Sequence, residues 1–135
     1  MKLFNLFKKK RTGKMESSTW NTLSEFKDVQ CIVDKSNERP QLIYKHSNQC
    51  SVSFVAKDEL EKNAEQISQI ADLNIVYVVQ QRDISNAIAM GLKIRHESPQ
   101  AILVKDGEVI WKGSHWDVNA EEILNRLKSV TFEET

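Results

Sequence analysis

The stretch Gln41-Leu-Ile-Tyr-Lys-His-Ser-Asn-Gln-Cys-Ser-Val-Ser53 passes from a strand pattern to a helix pattern within a few residues. Pro40 precedes an apolar run of high β propensity, which predicts a buried strand over 41–46. A polar segment ends this strand, and from Cys50 to about Ile70 the apolar residues recur at helical spacing. Cys50 is therefore predicted to lie at a junction between a strand and a helix.

A short helix is predicted before this stretch, reaching about Val29. Ser18 or Thr19 can cap it, and its apolar residues recur at helical spacing at Trp20, Leu23 and Phe26. Cys31 follows between apolar residues, which predicts a small buried side chain.

The remaining chain predicts a strand, a helix, a hairpin and a last helix. These are a strand over 74–80, a helix from Asp83 to Gly91, a hairpin turning at Asp106-Gly107, and a helix capped by Asp117 or Asn119. The order βαβαββα, after one leading helix, predicts an α/β fold with parallel and antiparallel halves in one sheet flanked by helices. That arrangement is typical of thioredoxin-like domains.

The composition predicts one domain of 18–131 between a flexible basic leader, 1–17, and an acidic tail, 132–135. The net charge is zero, but residues 1–14 carry six positive charges and no negative one. The rest of the chain is therefore acidic, which argues against nucleic-acid binding by the folded body. The leader could be solvated or rest weakly on an anionic membrane surface.

No segment has the roughly 20 apolar residues of a membrane span. The leader places its apolar residues before its charges, in the reverse order of a secretory signal. We therefore expect a cytoplasmic monomer with no integral membrane segment. Because that compartment is reducing, a disulfide between Cys31 and Cys50 is not expected.

Cys50 and Ser53 form a Cys-x-x-Ser motif at the predicted start of a helix. Unpaired backbone N–H groups and the helix dipole stabilise a thiolate there, which makes Cys50 the candidate nucleophile. Ser53 can donate a hydrogen bond to the sulfur, but it cannot resolve a mixed disulfide. Lys45 or His46 could also hold the thiolate, although strand alternation allows only one of them to face it. An inert cysteine is the alternative.

The segment His96-Glu97-Ser98-Pro99-Gln100 places a proline immediately before a predicted strand. A cis Ser98–Pro99 bond would leave Ser98 backbone groups free to pair with a bound substrate, whereas a trans proline would simply open the strand. After the hairpin, Trp116 is predicted to close the core. No zinc-ligand spacing, phosphate loop or Ser/His/Asp set occurs, so no metal is expected.

Together these segments resemble the monothiol bacilliredoxins, a bacillithiol-associated family of thioredoxin fold. The resemblance covers roughly 18–130 and depends on the order and spacing of four segments: Arg39-Pro40 with its strand, Lys45-His46-Ser47 before Cys50, His96-Glu97-Ser98-Pro99-Gln100, and Ser114-His115-Trp116-Asp117.

The resemblance implies that Cys50 removes bacillithiol, a low-molecular-weight thiol co-substrate, from S-bacillithiolated cytosolic proteins. Ser51, Ser98 and Pro99 would then contact the substrate. The family pattern has a proline where this chain has Ser51, which changes the first helical residue but keeps the nucleophile. Two alternatives stay open: a non-catalytic thioredoxin-like binding module, and iron–sulfur binding between two subunits.

Overall fold

The structure, a computed structural model, describes residues 19–134, so the predicted basic leader lies outside the described residues. The strands are β1 (Trp20–Thr22), β2 (Gln41–His46), β3 (Asp72–Tyr77), β4 (Gln100–Lys105) and β5 (Glu108–Ser114). The helices are α1 (Phe26–Lys35), α2 (Ser51–Lys62), α3 (Ala64–Ser68), α4 (Arg82–Leu92) and α5 (Ala120–Glu134), with a 3-10 turn at His115–Asp117. None of the described helices has the length and apolar character that crossing a bilayer requires.

The strands form one mixed sheet in the order β1-β3-β2-β4-β5. β3 is parallel to both β1 and β2, and β4 is antiparallel to both β2 and β5. The predicted sheet with a parallel and an antiparallel half is confirmed. Lys45 of β2 pairs with Gln100 of β4, so the carboxyl end of β2 lies beside the amino end of β4. The segments that follow β2 and precede β4 therefore meet at one edge of the sheet.

The sheet buries a hydrophobic core on each face. On one face, Tyr44 of β2 belongs to a cluster with side chains of α2, α3 and α5. On the other face, Ile43 belongs to a cluster with side chains of α1 and α4. Burying each large aliphatic side chain contributes about 1.5–3 kcal/mol. Successive residues of β2 thus point toward different pairs of helices, which decides the surroundings of Lys45 and His46.

The predicted leading helix is wrong at its start. Trp20 lies in the edge strand β1, where it pairs with Leu73 of β3, and α1 begins only at Phe26. Trp20 is buried against Tyr44, with ring centroids 6.1 Å apart, whereas the Phe26 side chain is 62% exposed. The helical spacing of Trp20 and Phe26 was therefore misleading, because one is a buried strand residue and the other an exposed helix residue.

Two further boundaries differ from the expected ones. The helical segment expected from Cys50 to about Ile70 is interrupted at Asn63, whose side-chain amide donates to the Glu59 carbonyl at 2.9 Å. The last helix continues through Glu134, beyond the predicted start of an acidic tail at 132. Asn119 caps it as expected, because its side-chain oxygen accepts the Glu122 N–H at 3.0 Å.

Candidate active site

Cys50 is the N-cap residue of α2, in extended conformation with φ −128° and ψ 121°. Its carbonyl accepts the Ser53 N–H at 3.0 Å, and its own N–H donates to the Ser47 carbonyl at 3.3 Å. The thiol is free and partly exposed. The predicted junction between strand and helix is thus confirmed, and its cysteine is accessible to a substrate.

Backbone N–H groups of the first turn lower the pKa of the Cys50 thiol. The Ser53 N–H makes the largest contribution and the Val52 N–H the next; slight burial opposes them, and the Ser53 hydroxyl adds a smaller lowering. In the first turn of a helix such N–H groups have no carbonyl partner four residues earlier, and here they are directed at the sulfur. The thiolate, which is the nucleophilic form, is therefore populated at lower pH than in an ordinary cysteine.

Ser53 is fully buried beneath the thiol. Its hydroxyl oxygen accepts the Ser47 N–H at 3.2 Å, which leaves the hydroxyl proton for the sulfur of Cys50. A hydroxyl cannot attack a disulfide, so this position stabilises a thiolate but resolves nothing.

Tyr44 and His46 lie on the face of the sheet that α2 covers. The Tyr44 hydroxyl donates its one proton to the Ser53 carbonyl at 2.7 Å. In its 3.3 Å hydrogen bond with His46, the Nδ1–H of the histidine must therefore be the donor and the hydroxyl oxygen the acceptor. The His46 ring is buried against Phe54 and Tyr77, at centroid distances of 5.1 and 5.6 Å. Neither Tyr44 nor Val52 was singled out from the sequence.

Burial, followed by the charge of Lys57, lowers the pKa of His46. The ring is therefore neutral near pH 7, and it holds Tyr44 in place. The expected role of His46 as a cation beside the thiolate does not fit these surroundings, because the charged form is the one that burial disfavours.

Lys45 points to the opposite face of the sheet from α2, as strand alternation requires. Its ammonium group is buried, donates to the Ser85 carbonyl at 3.1 Å, and lies 3.0 Å from Nδ1 of His96. Burial lowers the pKa of Lys45 to about 8. The structure thus corrects the expectation that Lys45 acts on the thiol, because it brings Lys45 to α4 and to the segment before Pro99.

The Ser98–Pro99 bond is cis, the alternative that would leave Ser98 backbone groups free to pair with a bound substrate. The Pro99 carbonyl accepts the His115 N–H at 2.9 Å. The Ser98 hydroxyl is buried and has no hydrogen-bond partner among the described residues. Because this segment precedes β4, it lies at the sheet edge where β2 leads into Cys50.

Two other expectations are corrected. Cys31 lies on α1 with an exposed side chain and not in the core. Since α1 packs on the face of the sheet opposite to α2, Cys31 is not placed to resolve a disulfide on Cys50. Trp116 is 72% exposed and lines a cleft of about 230 Å³ beside Val55 of α2, so it does not close the core.

Within residues 19–134, no cluster of three or more His, Cys, Asp or Glu side chains could hold a metal ion. The candidate site brings together a thiol, backbone N–H donors and the segment that carries Ser98 and Pro99. This set is suited to attack on a sulfur atom.

Comparisons with known proteins agree with this geometry. A family model described as "Monothiol bacilliredoxin BrxC" matches residues 21–123. A solved structure described as a candidate oxidoreductase with a thioredoxin fold is 28% identical, with a TM-score of 0.71, over 82% of this chain and 96% of that chain. Fasciola hepatica thioredoxin is 15% identical, with a TM-score of 0.62, over 81% of this chain and 97% of that one. Spinach chloroplast thioredoxin f, in its long form, is 17% identical, with a TM-score of 0.62, over 87% and 93%. The two thioredoxins show the fold alone.

Proposed function

The chain belongs to the monothiol bacilliredoxin family, and from this premise we propose that Cys50 removes bacillithiol from S-bacillithiolated client proteins. The family and the thioredoxin fold support a thiol redox function at the coarser level. The observation that carries the finer proposal is the single thiol at the start of α2, with first-turn N–H groups directed at its sulfur and Ser53 beneath it.

The reaction is an exchange of one disulfide for another. The Cys50 thiolate attacks the bacillithiol sulfur of the client's mixed disulfide, a Cys50–bacillithiol disulfide forms, and the client leaves as a thiolate that takes up a proton. No net oxidation occurs, because one S–S bond forms as one breaks. The low thiol pKa increases the fraction of attacking thiolate.

The adduct on Cys50 then needs an outside thiol. Ser53 cannot attack it, and Cys31 lies on the other face of the sheet. A second low-molecular-weight thiol, such as bacillithiol, would attack the bacillithiol sulfur of the adduct and release Cys50 as a thiolate with one new small-molecule disulfide. The proposal therefore has bacillithiol and S-bacillithiolated cytosolic proteins as partners of a monomer in the cytoplasm.

The test is release of bacillithiol from a purified client that carries one bacillithiolated cysteine. We expect the wild type to release it and to gain the mass of one bacillithiol on Cys50. Cys50→Ala should be inactive, and Cys31→Ser is the matched control, because it removes the other thiol from a remote exposed position.

Release by Cys50→Ala at the wild-type rate would overturn the mechanism. A wild type that binds the client but never acquires the adduct would favour the non-catalytic binding module. Mass spectrometry of the protein isolated from disulfide-stressed cells gives an independent measurement of the same adduct.

A further inference from the structure

Lys45 carries a buried positive charge that the proposed exchange does not use. Its side chain is fully buried, and among the described residues no carboxylate oxygen lies within 4.0 Å of its ammonium nitrogen. Its partners are the Ser85 carbonyl of α4 and Nδ1 of His96. A buried cation without a counter-charge is unfavourable, and an apolar side chain would fill the same space at lower cost. The contacts of Lys45 therefore indicate a specific role.

The contact fixes the state of His96. An ammonium group has donors only, so Nδ1 of His96 must be the acceptor, and the ring is neutral with its proton on Nε2. Burial, followed by the charges of Lys45 and Arg82, lowers the pKa of His96, while the Glu97 carboxylate raises it. The Ser85 hydroxyl lies 3.3 Å from the same nitrogen. An exposed histidine is thus tied to buried groups of β2 and α4.

His96 belongs to the segment that carries Ser98 and Pro99, which we call the Pro99 loop (residues 95–99). Gln100 holds the same loop, since its side-chain amide donates to the Arg95 carbonyl at 3.2 Å and accepts the Glu97 N–H at 3.4 Å. Lys45 and Gln100 are partners across β2 and β4. Two neighbouring buried side chains of the sheet therefore anchor one loop.

We propose that Lys45 is a positioning residue that holds the Pro99 loop in place for the disulfide substrate by donating a hydrogen bond to His96. The inference depends on the proposed exchange for its substrate, but the anchoring of the loop is a separate property. Lys45 acts from the side of the sheet opposite to α2, whereas the contacts that lower the pKa of Cys50 come from Ser53 and Val52. Loss of the anchor should therefore weaken substrate use without changing the thiol.

Three variants separate this role from general stability. Lys45→Met removes the ammonium group and keeps an unbranched side chain. His96→Leu removes the acceptor from an exposed position, so it tests the same contact even if Lys45→Met fails to fold. His96→Asn is the conservative variant, because its side-chain oxygen can take the place of Nδ1 as acceptor.

The first measurement is amide hydrogen exchange in the Pro99 loop. Both Lys45→Met and His96→Leu should raise the exchange rate about tenfold or more, while His96→Asn stays near the wild type. The second is kcat/KM for a bacillithiolated client, which should fall about tenfold, mainly through KM. The third is alkylation of Cys50 by iodoacetamide, a small reagent that needs no docking loop. Its pH profile should not move.

An unchanged rate of amide hydrogen exchange in the Pro99 loop of His96→Leu would overturn the proposal. A shifted pH profile of Cys50 alkylation in Lys45→Met, with hydrogen exchange in the loop unchanged, would also overturn it, because Lys45 would then act on the thiol. Failure of the proposed thiol–disulfide exchange can be distinguished from failure of the loop anchor. A wild type that does not release bacillithiol refutes the proposed function, and the hydrogen-exchange comparison still decides whether Lys45 anchors the loop.

Discussion

Replacing Tyr44 by phenylalanine removes one buried hydroxyl from beneath the candidate nucleophile and changes no other atom. That hydroxyl donates to the Ser53 carbonyl at 2.7 Å and accepts from His46 at 3.3 Å, in a side chain with no exposed surface. The Ser53 carbonyl still accepts the hydrogen bond of the helix, so losing the hydrogen bond from Tyr44 costs about 1 kcal/mol. The His46 N–H is left buried and unpaired, at a cost of about 1–3 kcal/mol. His46 can move its proton to the other ring nitrogen, which relieves part of this cost. The expected total loss in the free energy of unfolding is therefore about 2–3 kcal/mol.

Urea unfolding followed by circular dichroism measures this loss as a lower midpoint at constant slope. For a domain of this size, the expected change lowers Tm by roughly 8–12 °C. Such a loss is a large part of the stability of an ordinary domain, which is about 5–15 kcal/mol. The wild type and the variant should be compared in the reduced form, so that no adduct on Cys50 contributes.

Tyr77→Phe is the matched control for this substitution. Tyr77 also packs its ring against His46, with the two planes at 85°, but its hydroxyl has no hydrogen-bond partner within residues 19–134. Its removal should change the free energy of unfolding by no more than about 0.5 kcal/mol. If Tyr44→Phe is equally mild, or if the two variants cost the same, the hydrogen bonds assigned to Tyr44 do not contribute as argued.

Three further predictions concern the start of α2 and the end of β5. The pKa of Cys50 is lowered, so its thiolate persists below the ordinary thiol range and iodoacetamide alkylation should have its midpoint there. Ser53→Ala should move that midpoint to higher pH and slow alkylation a few-fold at pH 7; an unmoved midpoint would contradict the contact. Ser51→Pro should raise the free energy of unfolding by about 0.4–1 kcal/mol, because Cys50 already has the extended conformation that precedes proline; a loss of stability in urea would contradict this. Gly113→Ala should destabilise by about 1–3 kcal/mol, since its Cβ would lie 2.7 Å from a carbonyl oxygen and 2.8 Å from a tryptophan ring. Gly91→Ala, with nothing within 4 Å, is its control and should not destabilise.

The order of most elements could be predicted because each pattern is local. The apolar run of β2, the helical spacing after Cys50 and the Asp106-Gly107 turn all act over a few residues. β1 could not be predicted in this way, because a three-residue edge strand is shorter than any period that would identify it. Trp20 is recognised as a strand residue only through its pairing with Leu73, which is distant in sequence.

The site divides along the same line. Cys50 and Ser53 are three residues apart, so their relation follows from the geometry of one helical turn. Lys45 and His96 are separated by 51 residues, and only the antiparallel pairing of β2 with β4 brings them together. The alternation of side chains on β2 showed that only one of Lys45 and His46 could face the thiol. It could not show that this residue, His46, would be buried and neutral.

This outcome indicates which part of the sequence controls the reactivity of the thiol. The donors that contribute most to lowering its pKa are backbone N–H groups, which any residue other than proline supplies. What the sequence must fix is the residue at which the helix begins. The Ser47 carbonyl accepts the Cys50 N–H, and the Ser53 hydroxyl accepts the Ser47 N–H, so these two serines fasten the end of β2 to the first turn of α2. The reactive position therefore depends less on charged neighbours than on the Ser53 hydroxyl and the Ser47 backbone, which set where α2 starts.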